Sequence, residues 1–182
     1  MKSALIVIDV QQSFQHRPYW RSEDAGAFLK RIQKLIDRCE TQGVPVLQVF
    51  HEEPVGVFSR ASGLVKSWDD LRIAPTEVFF KDVHSALFGR SSGGVTLEAW
   101  LRFHEIEHVI VTGIRTEQCC ETTARHASDS GFEVTYALDA TLTFPMVAKS
   151  GRSYTAAEIM ERTELVLQDR FAKVVSAESI AV

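Results

Sequence analysis

The stretch HVIVTGIRTEQCCETTARHASDSG, His108 to Gly131, decides how the rest of the chain is read. Its opening run, His108 to Thr112, is apolar or β-branched apart from its ends, the composition of a strand buried on both faces. Gly113 breaks that run. A helix-compatible segment follows from Thr116, and Gly131 stands where a left-handed C-cap would close it. Cys119 thereby falls at the start of a helix, just past the carboxyl end of a buried strand. Helix starts present free N–H groups and a partial positive charge, which favour a thiolate over a thiol. This is a place to build a nucleophile.

Working outward, the same alternation of apolar run and helical spacing recurs. Ala4 to Val10 reads as a central parallel strand, with Asp9 near its end. Apolar residues at Phe28, Ile32, Leu35, Ile36 and Cys39 give helical spacing over Ala25 to Gln42, and Gly43 stops it. Val44 to Phe50 is a second strand, with Pro45 tolerable at its start. Glu77 to Phe80 is a third, ending at Lys81. A helix over about Thr96 to His104 leads into the central strand, and Glu133 to Leu138 alternates as a fifth. Thr155-Ala-Ala-Glu158 has capping-box spacing and opens a helix to about Phe171. Ala172 to Val175 makes a sixth strand. The segments 11–21 and 51–75 read as loops, the second long enough to suggest a functional role.

Strands alternating with helices give a mostly parallel sheet covered on both faces. The expectation is one α/β domain over 1–182, a three-layer αβα sandwich with six strands ordered 3-2-1-4-5-6. With 182 residues, 45% of them hydrophobic, the chain can bury one substantial core. A net charge of -4 without a basic block argues against nucleic acid as partner. No segment approaches the roughly 20 apolar residues of a membrane span. The amino-terminal apolar run is short and ends in Asp9, unlike a signal peptide. Three cysteines, two adjacent, suit a reducing compartment better than a disulfide framework, so the expected location is the cytoplasm.

Ligands of open α/β sheets bind at the carboxyl ends of the strands. Asp9, Lys81 and Cys119 all stand at such ends. Singly, each has an ordinary explanation: a turn former, a solvated lysine, a small buried hydrophobe. Together they are equipment for acyl transfer. The carboxylate accepts the thiol proton, the ammonium favours the thiolate, and backbone N–H groups hold an oxyanion. A nucleotide carrier is disfavoured, because the glycine pair Gly93-Gly94 does not directly follow a strand. No cofactor is expected.

The same residues carry a family resemblance. Asp9-Val-Gln11 with Phe14, then Lys81, then Gly113-Ile-Arg-Thr-Glu-Gln-Cys119 with Thr123-Ala-Arg125 and Ala127, resemble the isochorismatase-like cysteine hydrolases. Gly131-Phe132 and Asp139-Ala140 also fit that pattern, and the family includes nicotinamidases, N-carbamoyl amidases and ureidoacrylate amidohydrolases. The resemblance implies Cys119 as nucleophile, Asp9 as general acid/base and Lys81 as third member of a triad. It implies a non-proline cis peptide between Ile114 and Arg115, and an oxyanion hole from the N–H groups of Arg115 and Cys119. It also implies a homo-oligomer, for which the helix from Thr155 to Phe171 is a candidate interface.

One departure bears on substrate. Nicotinamidases resemble one another in a metal-binding Asp-x-His after the second strand, whereas here the segment reads Phe50-His-Glu-Glu-Pro54. No metal is therefore expected, and His51 reads as a pocket or hydrogen-bonded residue. Arg115 either clamps a substrate carboxylate bidentately or has an ordinary role, pointing outward or pairing with Glu117. Phe14, His51, Trp68, Arg115 and Phe144 are the candidate substrate-binding residues. The expected reaction is hydrolysis of a C–N bond in a small amide, carbamoyl or ureido compound through a thioester. The alternatives are an isochorismatase-type vinyl-ether hydrolase and a non-catalytic α/β small-molecule-binding protein.

Overall fold

Six strands form one parallel sheet in the computed structural model, which describes residues 1–182. They are β1 (Ser3–Ile8), β2 (Val46–His51), β3 (Glu77–Lys81), β4 (His108–Ile114), β5 (Glu133–Leu142) and β8 (Lys173–Val175). Between the last two lies a small antiparallel hairpin of β6 (Met146–Val147) and β7 (Ser153–Tyr154). The sheet order is β3-β2-β1-β4-β5-β8, as expected. The final strand is eighth in the chain because the hairpin, whose two-residue strands are too short to show alternation, lies outside the sheet.

Four helices cover the faces: α1 (Ser22–Thr41), α2 (Leu97–Phe103), α3 (Glu121–Asp129) and α4 (Ala156–Leu167). β1 explains the layering. Successive side chains of a strand point to opposite faces, and here both faces are closed. Ala4, Ile6 and Ile8 pack in one core with Leu97 and Leu101 of α2 and with Ala124 and Ala127 of α3. Leu5 and Val7 pack in the other, with Phe28, Ile32, Leu35 and Ile36 of α1. That is why β1 reads as an unbroken apolar run. Each large aliphatic side chain so buried contributes roughly 1.5–3 kcal/mol.

The local signals at the helix starts hold. Thr96 accepts from the Ala99 N–H at the head of α2. At α4 the capping box forms, with Thr155 Oγ1 accepting from the Glu158 N–H and Glu158 Oε2 from the Thr155 N–H. The helix ends at Leu167 rather than near Phe171, since Gln168 leaves helical geometry and its side chain accepts from Val174 N–H instead.

Gly113 does not end its strand. β4 continues to Ile114, and the glycine serves the approach of β4 to β1. Its φ is 129°, and a Cβ there would lie 2.0 Å from the Ile8 carbonyl oxygen. β5 likewise runs past Leu138 to Leu142, with its register against β4 shifting between Val111 and Gly113. The 11–21 loop contains a 3₁₀ turn at Gln12–His16, and the 51–75 loop contains two more, at Gly56–Phe58 and Arg60–Ser62.

Candidate active site

The strand order reverses between β1 and β4, so the crevice expected of such sheets opens at their carboxyl ends. Asp9 closes β1 and is completely buried. It adopts the left-handed conformation, φ 55°, which Asp tolerates better than most residues. Lys81 is the last residue of β3. Cys119 sits in a single π-helical turn, Thr116–Cys120, that precedes α3. Such one-turn irregularities recur at functional sites.

These three residues meet. Lys81 Nζ donates to Asp9 Oδ2 at 2.8 Å, and both side chains are closed to solvent. The same nitrogen is 3.5 Å from Cys119 Sγ. The second carboxylate oxygen, Asp9 Oδ1, is buried with no hydrogen-bond partner. A free acceptor of that kind is costly, and is explained if it receives a proton during chemistry.

The charges act on the thiol in opposition. Burial, then the carboxylate of Asp9, push the Cys119 thiol well up, and Lys81 offsets only part of this. The helix-start effect expected to favour a thiolate is thus outweighed: the resting group is a thiol beside a base. Burial alone would lower Lys81, but the Asp9 carboxylate, by its charge and its hydrogen bond, holds it above its ordinary value, so it remains an ammonium.

The Ile114–Arg115 peptide is cis. The backbone N–H of Arg115 donates to no backbone carbonyl. Its side chain lies in an ion pair, Nη2 to Glu117 Oε1 at 3.0 Å without hydrogen-bond geometry, while Thr143 donates to the other Glu117 oxygen. The guanidinium also stands over the rings of Tyr19, 4.8 Å, and Phe144, 5.7 Å. The pairing with Glu117 that the sequence allowed for Arg115 is present.

The aromatic candidates divide. Trp68 donates its indole N–H to the Gln11 carbonyl at 2.9 Å and packs edge-on against Trp20 and Phe28, so it anchors a loop rather than lining a pocket. Phe144 is wholly buried against Tyr19 and Trp20. Phe14 packs edge-on against Phe58, which in turn packs edge-on against His51. Only His51 among them reaches the Asp9–Lys81–Cys119 cluster, its Nδ1 3.2 Å from Lys81 Nζ. No three His, Cys, Asp or Glu side chains converge as a metal-ligand set.

Sequence reasoning missed His84. Its Nδ1 is 4.0 Å from Cys119 Sγ, and His84 is exposed while Cys119 is buried. Its only signal is position, three residues past Lys81 on a loop leaving the same sheet edge.

Fold and site together define a three-layer α/β protein with a buried carboxylate, ammonium and thiol gathered at the sheet's switch point. Residues 3–179 match the family model of the Isochorismatase domain, and the chain belongs to the isochorismatase family of hydrolases. A Bacillus subtilis protein described as an uncharacterised member of that family is 28% identical over 182 residues, 98% of this chain and 94% of that one. Nicotinamidase 3 of Arabidopsis thaliana is 31% identical over 158 residues, 78% of this chain and 74% of that one. Among solved structures, a Burkholderia xenovorans protein provisionally classed as an isochorismatase superposes with a TM-score of 0.84 at 32% identity, covering 97% of this chain and 84% of that one.

Proposed function

We propose that this family member is a cysteine hydrolase that cleaves a C–N bond in a small amide, carbamoyl or ureido compound. The observation that carries the reading is the buried Asp9–Lys81 pair with its ammonium against the Cys119 thiol and one carboxylate oxygen left free. Asp9 Oδ1 takes the thiol proton as Cys119 Sγ attacks the carbonyl carbon. The N–H groups of Arg115 and Cys119 receive the developing oxyanion. The tetrahedral intermediate collapses as Asp9 returns the proton to the leaving nitrogen, and an acyl-thioester remains. Asp9 then deprotonates water, which attacks the thioester and releases the acid and the free thiol.

Similarity to a nicotinamidase supports amide hydrolysis in general. The segment after β2 lacks the metal pair that nicotinamidases resemble one another in, which points to another amide as substrate. Vinyl-ether hydrolysis, the alternative, has no use for a thiol poised beside a base. The reading places the enzyme in a reducing cytoplasm, in keeping with three free cysteines.

Hydroxylamine added during turnover is the test. A thioester diverts part of its acyl group to the hydroxamate, at the expense of the acid. Continued acid formation with no diverted product would exclude an acyl-enzyme.

A further inference from the structure

We infer that His51 is a positioning residue for the reaction: as a neutral acceptor it completes the hydrogen bonding of the Lys81 ammonium and fixes its aim at Asp9 and Cys119. The inference rests on the proposed cysteine-hydrolase reading for its functional meaning, though not for its geometry.

A lysine ammonium has three N–H donors and no acceptor. Buried Lys81 has three neighbours to receive them: Asp9 Oδ2 at 2.8 Å, His51 Nδ1 at 3.2 Å and Cys119 Sγ at 3.5 Å. Facing an ammonium, Nδ1 must accept, so the ring proton is on Nε2, which lies 3.6 Å from Glu53 Oε1. The placement is built into the sheet. His51 and Lys81 are register partners on the adjacent parallel strands β2 and β3. The side-chain amide of Gln11 grips the His51 backbone from both sides, donating to its carbonyl at 2.9 Å and accepting from its N–H at 2.8 Å. Phe58 packs edge-on against the ring.

The groups that face His51 are Lys81 on β3, Asp9 at the end of β1, Glu53 on its own loop and His84 on the loop after β3. Burial, and next the Lys81 charge, hold its pKa below the ordinary histidine value. At neutral pH the acceptor is therefore available. Protonation would set two cations face to face and leave one Lys81 donor without a partner.

Two measurements test this without depending on one another. In an NMR titration of isotope-labelled histidines, with His51 assigned by its loss in His51→Asn, His51 titrates below the ordinary value in the wild type. In Lys81→Met its midpoint rises, since one cation is gone and the carboxylates of Asp9 and Glu53 remain. An unchanged midpoint overturns the contact. In kinetics, His51→Leu lowers kcat about tenfold or more with KM little changed. His51→Asn, whose side-chain oxygen can occupy the Nδ1 position, restores most of that rate and moves the acid limb of the kcat profile to lower pH, because Asn does not titrate. Equal rates in the Leu variant and the wild type, or an Asn variant that keeps the wild-type acid limb, overturn the role. Coupled titration in a protein that turns over no amide would leave the contact standing and remove the proposed activity.

Discussion

Asp9 and Lys81, 72 residues apart in the chain, meet with Oδ2 and Nζ at 2.8 Å and no solvent access to either side chain. Well-packed apolar residues in such a place are often as stable or more so, so the pair is not explained by stability. It is explained by a thiol 3.5 Å from the same nitrogen.

Breaking the pair has a thermodynamic consequence. Lys81→Met leaves the Asp9 carboxylate buried without its cation, a loss of about 3–5 kcal/mol. For a chain of this length that is a fall of roughly 10 °C in Tm at pH 7.5, read by calorimetry. The double variant Asp9→Asn/Lys81→Met recovers much of it, since no bare charge remains. A Lys81→Met midpoint equal to wild type would contradict the pair's burial.

The two partners pull the thiol in opposite directions, and alkylation reads this directly. Asp9 raises the Cys119 pKa and Lys81 lowers it. Asp9→Asn is therefore expected to make Cys119 more reactive toward iodoacetamide at a given pH, by about tenfold for each unit of pKa. Lys81→Met is expected to make it less reactive. Asp9→Asn should at the same time abolish turnover, because the proton acceptor is gone. A slower thiol in Asp9→Asn contradicts the assigned electrostatics.

Gly113→Ala tests the close approach of β4 to β1. With φ at 129° and the Ile8 oxygen 2.0 Å from where a Cβ would lie, a methyl group there forces the two central strands apart. The expected cost is about 3 kcal/mol or more, or failure to fold. A urea midpoint matching the wild type would show that the approach is looser than described.

Stability should also fall on mild acidification. His51 and His108 are both held below the ordinary histidine pKa, chiefly by burial. The unfolded chain then binds more protons than the folded one as pH drops below about 6.5, so folding is progressively penalised toward pH 5. Tm measured from pH 7.5 to 5 should decline, and His108→Asn should flatten part of the decline. A Tm that rises over that interval would contradict both assignments.

Much of this was legible in the sequence because the signals were local. The apolar runs gave the strands, their alternation with helical spacing gave a parallel sheet, and Thr155 with Glu158 gave a cap that forms as read. Asp9, Lys81 and Cys119 could be joined because each closes or follows a strand. What escaped depended on the third dimension. Gly113 read as a break because nothing local reports the Ile8 carbonyl opposite it. Trp68 and Phe144 read as pocket aromatics because a loop sequence does not say which side of the chain packs inward. His51 had no assigned partner until the register of β2 on β3 set it beside Lys81. His84 carried no signal beyond its distance from Lys81 along the chain.

The most direct test of the account is ammonia release across a panel of small amides, carbamoyl and ureido compounds, with wild type and Cys119→Ala run side by side. Release by the wild type from at least one class is expected, and none above background from Cys119→Ala, with both proteins folded to the same degree. Equal release by the two would show that the thiol is not the nucleophile.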